Sequence, residues 1–311
     1  MKTMTNKKKK VLIWIVAVLL VIIIDIFTVI PFIVMHPLVD NHVYFNEIWE
    51  ADEFGLEANH FFVQTEDGLT ISAYEVAVDT PKAVIICLSG IQNPSVTVYF
   101  GHAKLFKEND FATILVDMRA HGESSGNEIS LGYKEYIDVK AVVAYIKQHP
   151  VYDNVPVIVM GVSMGGATAI NAIAEIDEID GLISLSSYSS WEEVYYENMK
   201  QSVPAIVSNT EYPFIYLMSL LKYGSSSFIK PKTEIKKLKD RPALLMHSKQ
   251  DSQVSFANFE RLLKAAPAHV ETFIREGDLH FMTEHFLEPE KDTLYAETLV
   301  DFINHNFIQN D

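Results

Sequence analysis

The 311-residue sequence predicts a doubly wound, mostly parallel α/β fold with a helical insertion, preceded by one transmembrane helix. Three observations carry that prediction. A lysine cluster is followed by an apolar stretch at residues 11–35; short apolar runs then alternate with helical patterns; and residues 187–240 lack any such run. Composition narrows the field further. With 49% hydrophobic residues the chain is not disordered, and the lone Cys87 excludes a disulfide scaffold. Five of the 25 Lys and Arg fall in the first ten residues, which leaves 20 basic against 41 acidic residues in the rest. A body that acidic repels phosphate backbones, so nucleic acid is excluded as a partner.

Residues 1–10 read as a basic cytoplasmic tail and 11–35 as a transmembrane signal anchor. The uninterrupted part, 11–24, spans only ~21 Å as a helix, short of a hydrocarbon core of about 30 Å, so the span continues through Asp25. Nineteen of the residues in 11–35 are Val, Ile, Leu or Phe. At ~0.4 kcal/mol each they outweigh about 3 kcal/mol for one aspartate, which reads as a tolerated, locally hydrated acid. No small-residue cleavage pattern follows, so the anchor is expected to be retained. Lysines before the span, with Asp40, Glu47 and Glu50 after it, predict a single-pass protein of the cell membrane, its N-terminus cytoplasmic and its body extracytoplasmic. The lipid bilayer is then a partner through 11–35, and 36–58 is a juxtamembrane segment.

The body occupies 59–311. Residues 59–65 and 69–76, rich in β-branched and aromatic side chains, flank Glu66-Asp67-Gly68 and predict a hairpin. Runs at 83–88, 111–116, 155–160, 182–185, 243–246 and 270–274 lack alternation, as strands buried on both faces do. Between them, 133–149 places Tyr136, Val139, Val143 and Ile146 on one helical stripe, stopped by Pro150. A structureless loop at 187–240 is improbable in a compact domain, so that aromatic-rich interval is expected to be helical.

The chemistry gathers at strand ends. Gly161-Val162-Ser163-Met164-Gly165-Gly166 is a G-x-S-x-G between an apolar run and an Ala-rich helix start. Small residues flank a serine held in a strained turn, where its hydroxyl is presented as a nucleophile and the Met164 amide as an oxyanion donor. A serine hydroxyl needs a base, and the base an orienting acid, in the order Ser, acid, His. Asp251 follows the run at 243–246, at the edge where ligands gather in parallel sheets. Asp240 precedes that run, and Asp177 and Asp180 end the preceding helix. His280 follows the last run and is the expected base, with His285 as the alternative. The second oxyanion donor is expected from the loop Ser89-Gly90-Ile91-Gln92-Asn93-Pro94, at the Ile91 amide. Gln92, Tyr188 and Trp191 are candidate substrate-contacting residues.

Over nearly the whole body this pattern resembles the α/β-hydrolase superfamily, most closely its serine aminopeptidase and lysophospholipase-like branch. The residues that carry the resemblance are the hairpin Thr65-Glu66-Asp67-Gly68-Leu69, the elbow, Asp117-Met118-Arg119-Ala120-His121-Gly122-Glu123-Ser124 (similar to D-x-R-G-H-G-x-S), His247 to Asp251, and Gly277 to His280. The resemblance implies a helical lid at about 187–240 and Ser163, Asp251 and His280 as nucleophile, acid and base. It departs at Ser89-Gly90, where the family has His-Gly, and at Ala120.

Cys87, inside a buried run, reads as a small hydrophobe. No metal spacing or phosphate loop is present, so no cofactor is expected. The expected function is hydrolysis of a small-molecule acyl or peptide substrate: an ester, thioester or amide cleaved through an acyl-enzyme. An aromatic lid favours apolar acyl groups. A serine aminopeptidase is the alternative, with Glu192, Glu193 or Glu197 available for a free amine, at what reads equally as an acidic helix start. A non-catalytic ligand-binding protein of the same fold is the third.

Overall fold

Apolar runs without alternation make strands that must be covered on both sides, and helices cover them here. The structure, a computed structural model, describes residues 6–92 and 94–308, without the side chains at 23–28, 30, 31 and 34. In chain order the elements are helix α1 (Asn6–Val39), strands β1 (Asn59–Gln64), β2 (Thr70–Val76) and β3 (Ala83–Leu88), helix α2 (Phe100–Lys107), β4 (Phe111–Val116), α3 (Tyr136–Gln148), β5 (Val157–Val162), α4 (Met164–Glu175), β6 (Gly181–Leu185), helices α5 (Trp191–Ser202), α6 (Ala205–Tyr223) and α7 (Pro231–Glu234), β7 (Ala243–Ser248), α8 (Phe256–Ala265), β8 (Glu271–Arg275) and α9 (Thr293–Phe307).

The eight strands lie in the order β1-β2-β4-β3-β5-β6-β7-β8. Strand β2 runs antiparallel to both neighbours; from β4 to β8 every pairing is parallel. One face packs on α3, α4 and α8 through Val139, Ile170 and Phe259. The other packs on α2 and α9 through Phe106, Leu299 and Ile303. Parallel pairing brings the carboxyl ends of β3, β5, β7 and β8 to one edge, and the register sets Leu88 beside Gly161.

Three expectations need adjusting. The run at 270–274 read as a strand buried on both faces, but β8 has a single neighbour, and Glu271, Thr272 and Ile274 are exposed. Position at the edge overrides what an apolar run suggests. Helix α3 starts at Tyr136 rather than at 133. Segment 36–58 is bound to the body: α1 continues to Val39, the Ile129 amide donates to the Val39 carbonyl, and the Val43 amide donates to that of Ala120. The His42 ring meets the carbonyls of Gly122 and Gly126 at 2.8 and 2.9 Å. These are long-range contacts to backbone groups, with no local pattern to announce them.

Among the described residues no helix is long and apolar enough to cross a membrane. The stretch 11–35 lies within α1, and several of its side chains, Asp25 among them, fall outside the described residues.

Candidate active site

Strand β5 ends at Val162 and α4 begins at Met164, so the whole reversal falls on Ser163, at φ 57° and ψ −118°. A non-glycine residue there is strained, and such strain persists only where the surroundings hold it. The Ser163 amide donates to the Leu185 carbonyl at 2.9 Å, and its carbonyl accepts from the Ala167 amide at 2.9 Å. Glycines on either side make the turn possible. A Cβ on Gly161 would lie 2.3 Å from the Gly165 backbone, and one on Gly165 would lie 2.3 Å from the Leu88 carbonyl oxygen. Because both obstacles are backbone, Gly165→Ala is expected to cost about 1–3 kcal/mol of stability by overpacking, read as a lower urea midpoint. An unchanged midpoint would mean that β3 and α4 are free to separate.

Asp251 and His280 are brought together. The His280 Nδ1 lies 2.9 Å from Asp251 Oδ2, and both residues are buried. The other carboxylate oxygen accepts the amides of Gln253 and Val254, each at 2.9 Å. Burial pushes the Asp251 carboxyl up, but His280 and the two amides outweigh it and hold it below the usual carboxylate value. An ionised Asp251 therefore accepts a hydrogen bond from Nδ1–H and leaves the His280 Nε2 lone pair as the acceptor. A second imidazole stands close by. His247 Nε2 is 3.8 Å from Asp251 Oδ2 but is tied to the Val254 carbonyl at 2.8 Å, and burial lowers its pKa. The alternative base, His285, is exposed, and its amide donates to Thr283 Oγ1. Asp180 accepts the amide of Val157, the first residue of β5, at the opposite edge of the sheet.

The loop after β3 passes directly against Ser163, since a Cβ on Gly90 would stand 3.5 Å from Ser163 Cβ and 4.0 Å from its Oγ. Ile91 follows, half-buried, and Gln92 has a left-handed backbone at φ 65°. The Gln92 amide is committed: it donates to His121 Nε2 at 3.1 Å, while His121 Nδ1–H donates to the Arg119 carbonyl at 2.9 Å. Burial pushes His121 down to about 4, so the ring is neutral, as an acceptor at Nε2 requires. Met164 is the first residue of α4, and its amide is one of the first-turn N–H groups without a partner inside the helix. Tyr188 is buried with its hydroxyl donating to the Leu131 carbonyl at 2.8 Å, and Trp191 packs edge-on against it.

Two supporting residues were passed over in the sequence. His121 pins the loop at Gln92. Arg119 is buried between Asp138 at 2.7 Å and Asp67 at 2.8 Å, tying the loop after β4 to α3 and to the hairpin turn. Both sit in the 117–124 motif, and the signal was a basic residue and an imidazole in a loop otherwise lacking cations. Arg119→Met is expected to cost about 3–5 kcal/mol, because it leaves the Asp138 carboxylate buried and unpaired; chemical denaturation checks it. Restoring most of the loss with a further Asp138→Leu would identify the orphaned charge as its cause.

Among the described residues no cluster of His, Cys, Asp and Glu is placed to hold a metal ion. What the edge of the sheet does hold is a strained serine, a carboxylate-bound imidazole and a loop fixed against the serine.

Comparison with known proteins agrees with this architecture. A curated protein of Bacillus subtilis, uncharacterized protein YqkD, is 25% identical over 269 residues, covering 84% of this chain and 83% of the relative. Protein bem46 of Schizosaccharomyces pombe is 24% identical over 209 residues, covering 65% of this chain and 63% of that one. In fold the chain is similar to the esterase Pf2001 of Pyrococcus furiosus, with a TM-score of 0.67 at 19% identity over 86% of this chain and 100% of the other. It is also similar to the acylaminoacyl peptidase of Pyrococcus horikoshii, with a TM-score of 0.58 at 15% identity over 82% of this chain and 42% of that one. Residues 79–237, just over half of the sequence, match the family described as "Serine aminopeptidase, S33", and the chain belongs to that family of α/β hydrolases.

Proposed function

We propose that the protein is a membrane-anchored serine hydrolase that cleaves carboxylic esters, with thioesters or amides as related substrates, through an acyl-enzyme on Ser163. The observation that carries this reading is the Asp251–His280 pair at the same sheet edge as a serine held at φ 57°. In the reaction, Ser163 Oγ attacks the carbonyl while His280 Nε2 takes its proton. The tetrahedral oxyanion is met by the amides of Met164 and Ile91, and collapse expels the leaving group with the proton from His280. Water then repeats the sequence on the acyl-enzyme. Asp251 holds the imidazolium throughout.

Ester over peptide is favoured by the state of the three acids once nominated for a free amine. Glu192 is paired with Lys230 at 2.6 Å, Glu193 with Lys232 at 2.6 Å, and Glu197 with Asn258 at 2.7 Å and with Arg261. An α-amino group would compete with these partners for the carboxylates. Labelling with a fluorophosphonate tests the nucleophile: wild type is expected to react and Ser163→Ala is not. If neither reacts, a ligand-binding role replaces the enzymatic one.

The anchor reading is supported by residues 11–22 of α1. Their apolar side chains stand about half exposed, from Val16 at 46% to Trp14 at 73%. Water does not solvate a wholly apolar helix well, whereas lipid does. With four lysines at its start, the helix would enter from the cytoplasm and the hydrolase body, with α5 to α7 as its lid, would lie outside. Protease shaving of intact cells is expected to remove the body; a body that survives would place it inside.

A further inference from the structure

Helix α6 is built inside out. None of its nine exposed positions carries a charge; Ile206, Leu217, Leu220 and Leu221 are among them, with Leu221 at 71% exposure. Its buried face holds Ser208, Glu211 and Ser219 beside Ile215 and Tyr223. A helix washed by water has the opposite arrangement, with its apolar stripe turned to the core. Nineteen residues long, α6 exposes enough apolar surface along one side to require a covering medium.

Its position says which medium. Met218 and Leu221 line a cleft with Phe32, Met35, His36 and Val39 of α1. Lys222 Nζ pairs with Asp40, just past the end of α1, and with Glu128 at 3.2 Å. Residues 11–31 rise ~31 Å as a helix, which matches a hydrocarbon core. Phe32, half exposed, then stands at the rim of that core, and Leu221 stands beside it. At its other end the insertion leaves β6, whose last residue, Leu185, accepts the Ser163 amide.

We propose that the outward face of α6 lies in the headgroup–acyl boundary of the leaflet into which the anchor emerges, and that the substrate is an acyl lipid taken from that leaflet. The inference rests on the anchored-hydrolase reading above. The occupant is lipid rather than protein because the same apolar surface continues from α6 onto Phe32 and Ile33 of the proposed span. Amphipathic helices at this depth bury their apolar side about 5–10 Å into the boundary.

Cys87 is the sole cysteine and is buried, so nitroxide labels can be placed one at a time. The full chain is reconstituted in vesicles of phosphatidylcholine and phosphatidylglycerol, with labels on Val18→Cys, Leu221→Cys or Glu108→Cys. Collisions with oxygen report lipid and collisions with a nickel chelate report water. The expected result is a deep label at 18, a shallow lipid-facing label at 221 with at least a severalfold preference for oxygen over nickel relative to 108, and water at 108. A deep label at 18 with water at 221 overturns the inference and leaves the anchor standing. Water at 18 overturns the anchor itself. A label at 221 shielded from both reagents overturns the inference in favour of a protein partner or a second copy.

Activity gives a second reading. The double variant Leu217→Glu/Leu221→Glu is expected to hydrolyse p-nitrophenyl palmitate carried in the same vesicles at least tenfold more slowly, with p-nitrophenyl acetate in water unchanged. Equal loss on both esters overturns the proposal, since it would mark the leucines as structural. A loss on neither does so as well.

Discussion

Ser163→Ala is expected to lower kcat on a carboxylic ester by on the order of 10⁴–10⁶-fold, with KM nearly unchanged. Only the hydroxyl oxygen is removed; the backbone bonds to Leu185 and Ala167, which hold the turn, do not involve the side chain. Alanine has no special access to φ 57°, so the strain stays and stability is expected to change little. The pattern is what separates chemistry from packing: an intact fold with activity gone. Steady-state kinetics beside a urea melt reads both. A variant within tenfold of wild type would remove Ser163 from the reaction and leave the elbow without a role.

Asp251→Asn is expected to reduce kcat by about 10⁴-fold through the wrong tautomer. The amide oxygen of asparagine can keep the bonds from Gln253 and Val254, so the side chain stays in place. Its NH₂ group then faces His280 Nδ1 at the position where Oδ2 lies 2.9 Å away. Facing a donor, Nδ1 must become the acceptor, and the proton moves to Nε2, which can no longer receive one from a hydroxyl. His247 cannot take over, because its Nε2 is already bound to the Val254 carbonyl. His280→Gln is expected to match this loss and His285→Gln to leave activity near wild type, which tests the assignment on the same assay. If Asp251→Asn kept most of its activity, the pair would be structural.

Acid conditions act on the same pair. The Asp251 carboxyl is held below its ordinary value, so its contribution to stability is complete above the unfolded value of about 4. It is lost progressively as pH falls from there down through the lowered folded value, because the unfolded chain takes up the proton first.

Much of this was legible in one dimension, and for a shared reason. The strands at 83–88 and 111–116 appear with the same bounds in the structure because a strand buried on both faces must be apolar at every position. Ser163, Asp251 and His280 could be nominated because a parallel sheet sends every carboxyl end to one edge, so a residue just past a strand has a known destination. What escaped notice has no such rule behind it. The seam between 39–43 and 120–129 is made largely of backbone groups, which every residue carries alike, with the His42 ring joining them. The exposure of β8 depends on no further strand lying beside it among the described residues. The pinning of the loop at Gln92 depends on His121, a partner 29 residues away.

The order of apolar runs, glycines and titratable side chains by itself determined the sheet and the elbow and nominated Asp251 with His280 or His285, since each follows from local periodicity or from position relative to a strand. Only the tertiary structure decided which histidine Asp251 holds, how the loop at Ile91 and Gln92 is pinned, and that α6 turns its apolar side outward against the end of α1. Those are contacts between segments far apart in the chain, and the free energy of such contacts depends on distance and burial that no single stretch of sequence contains.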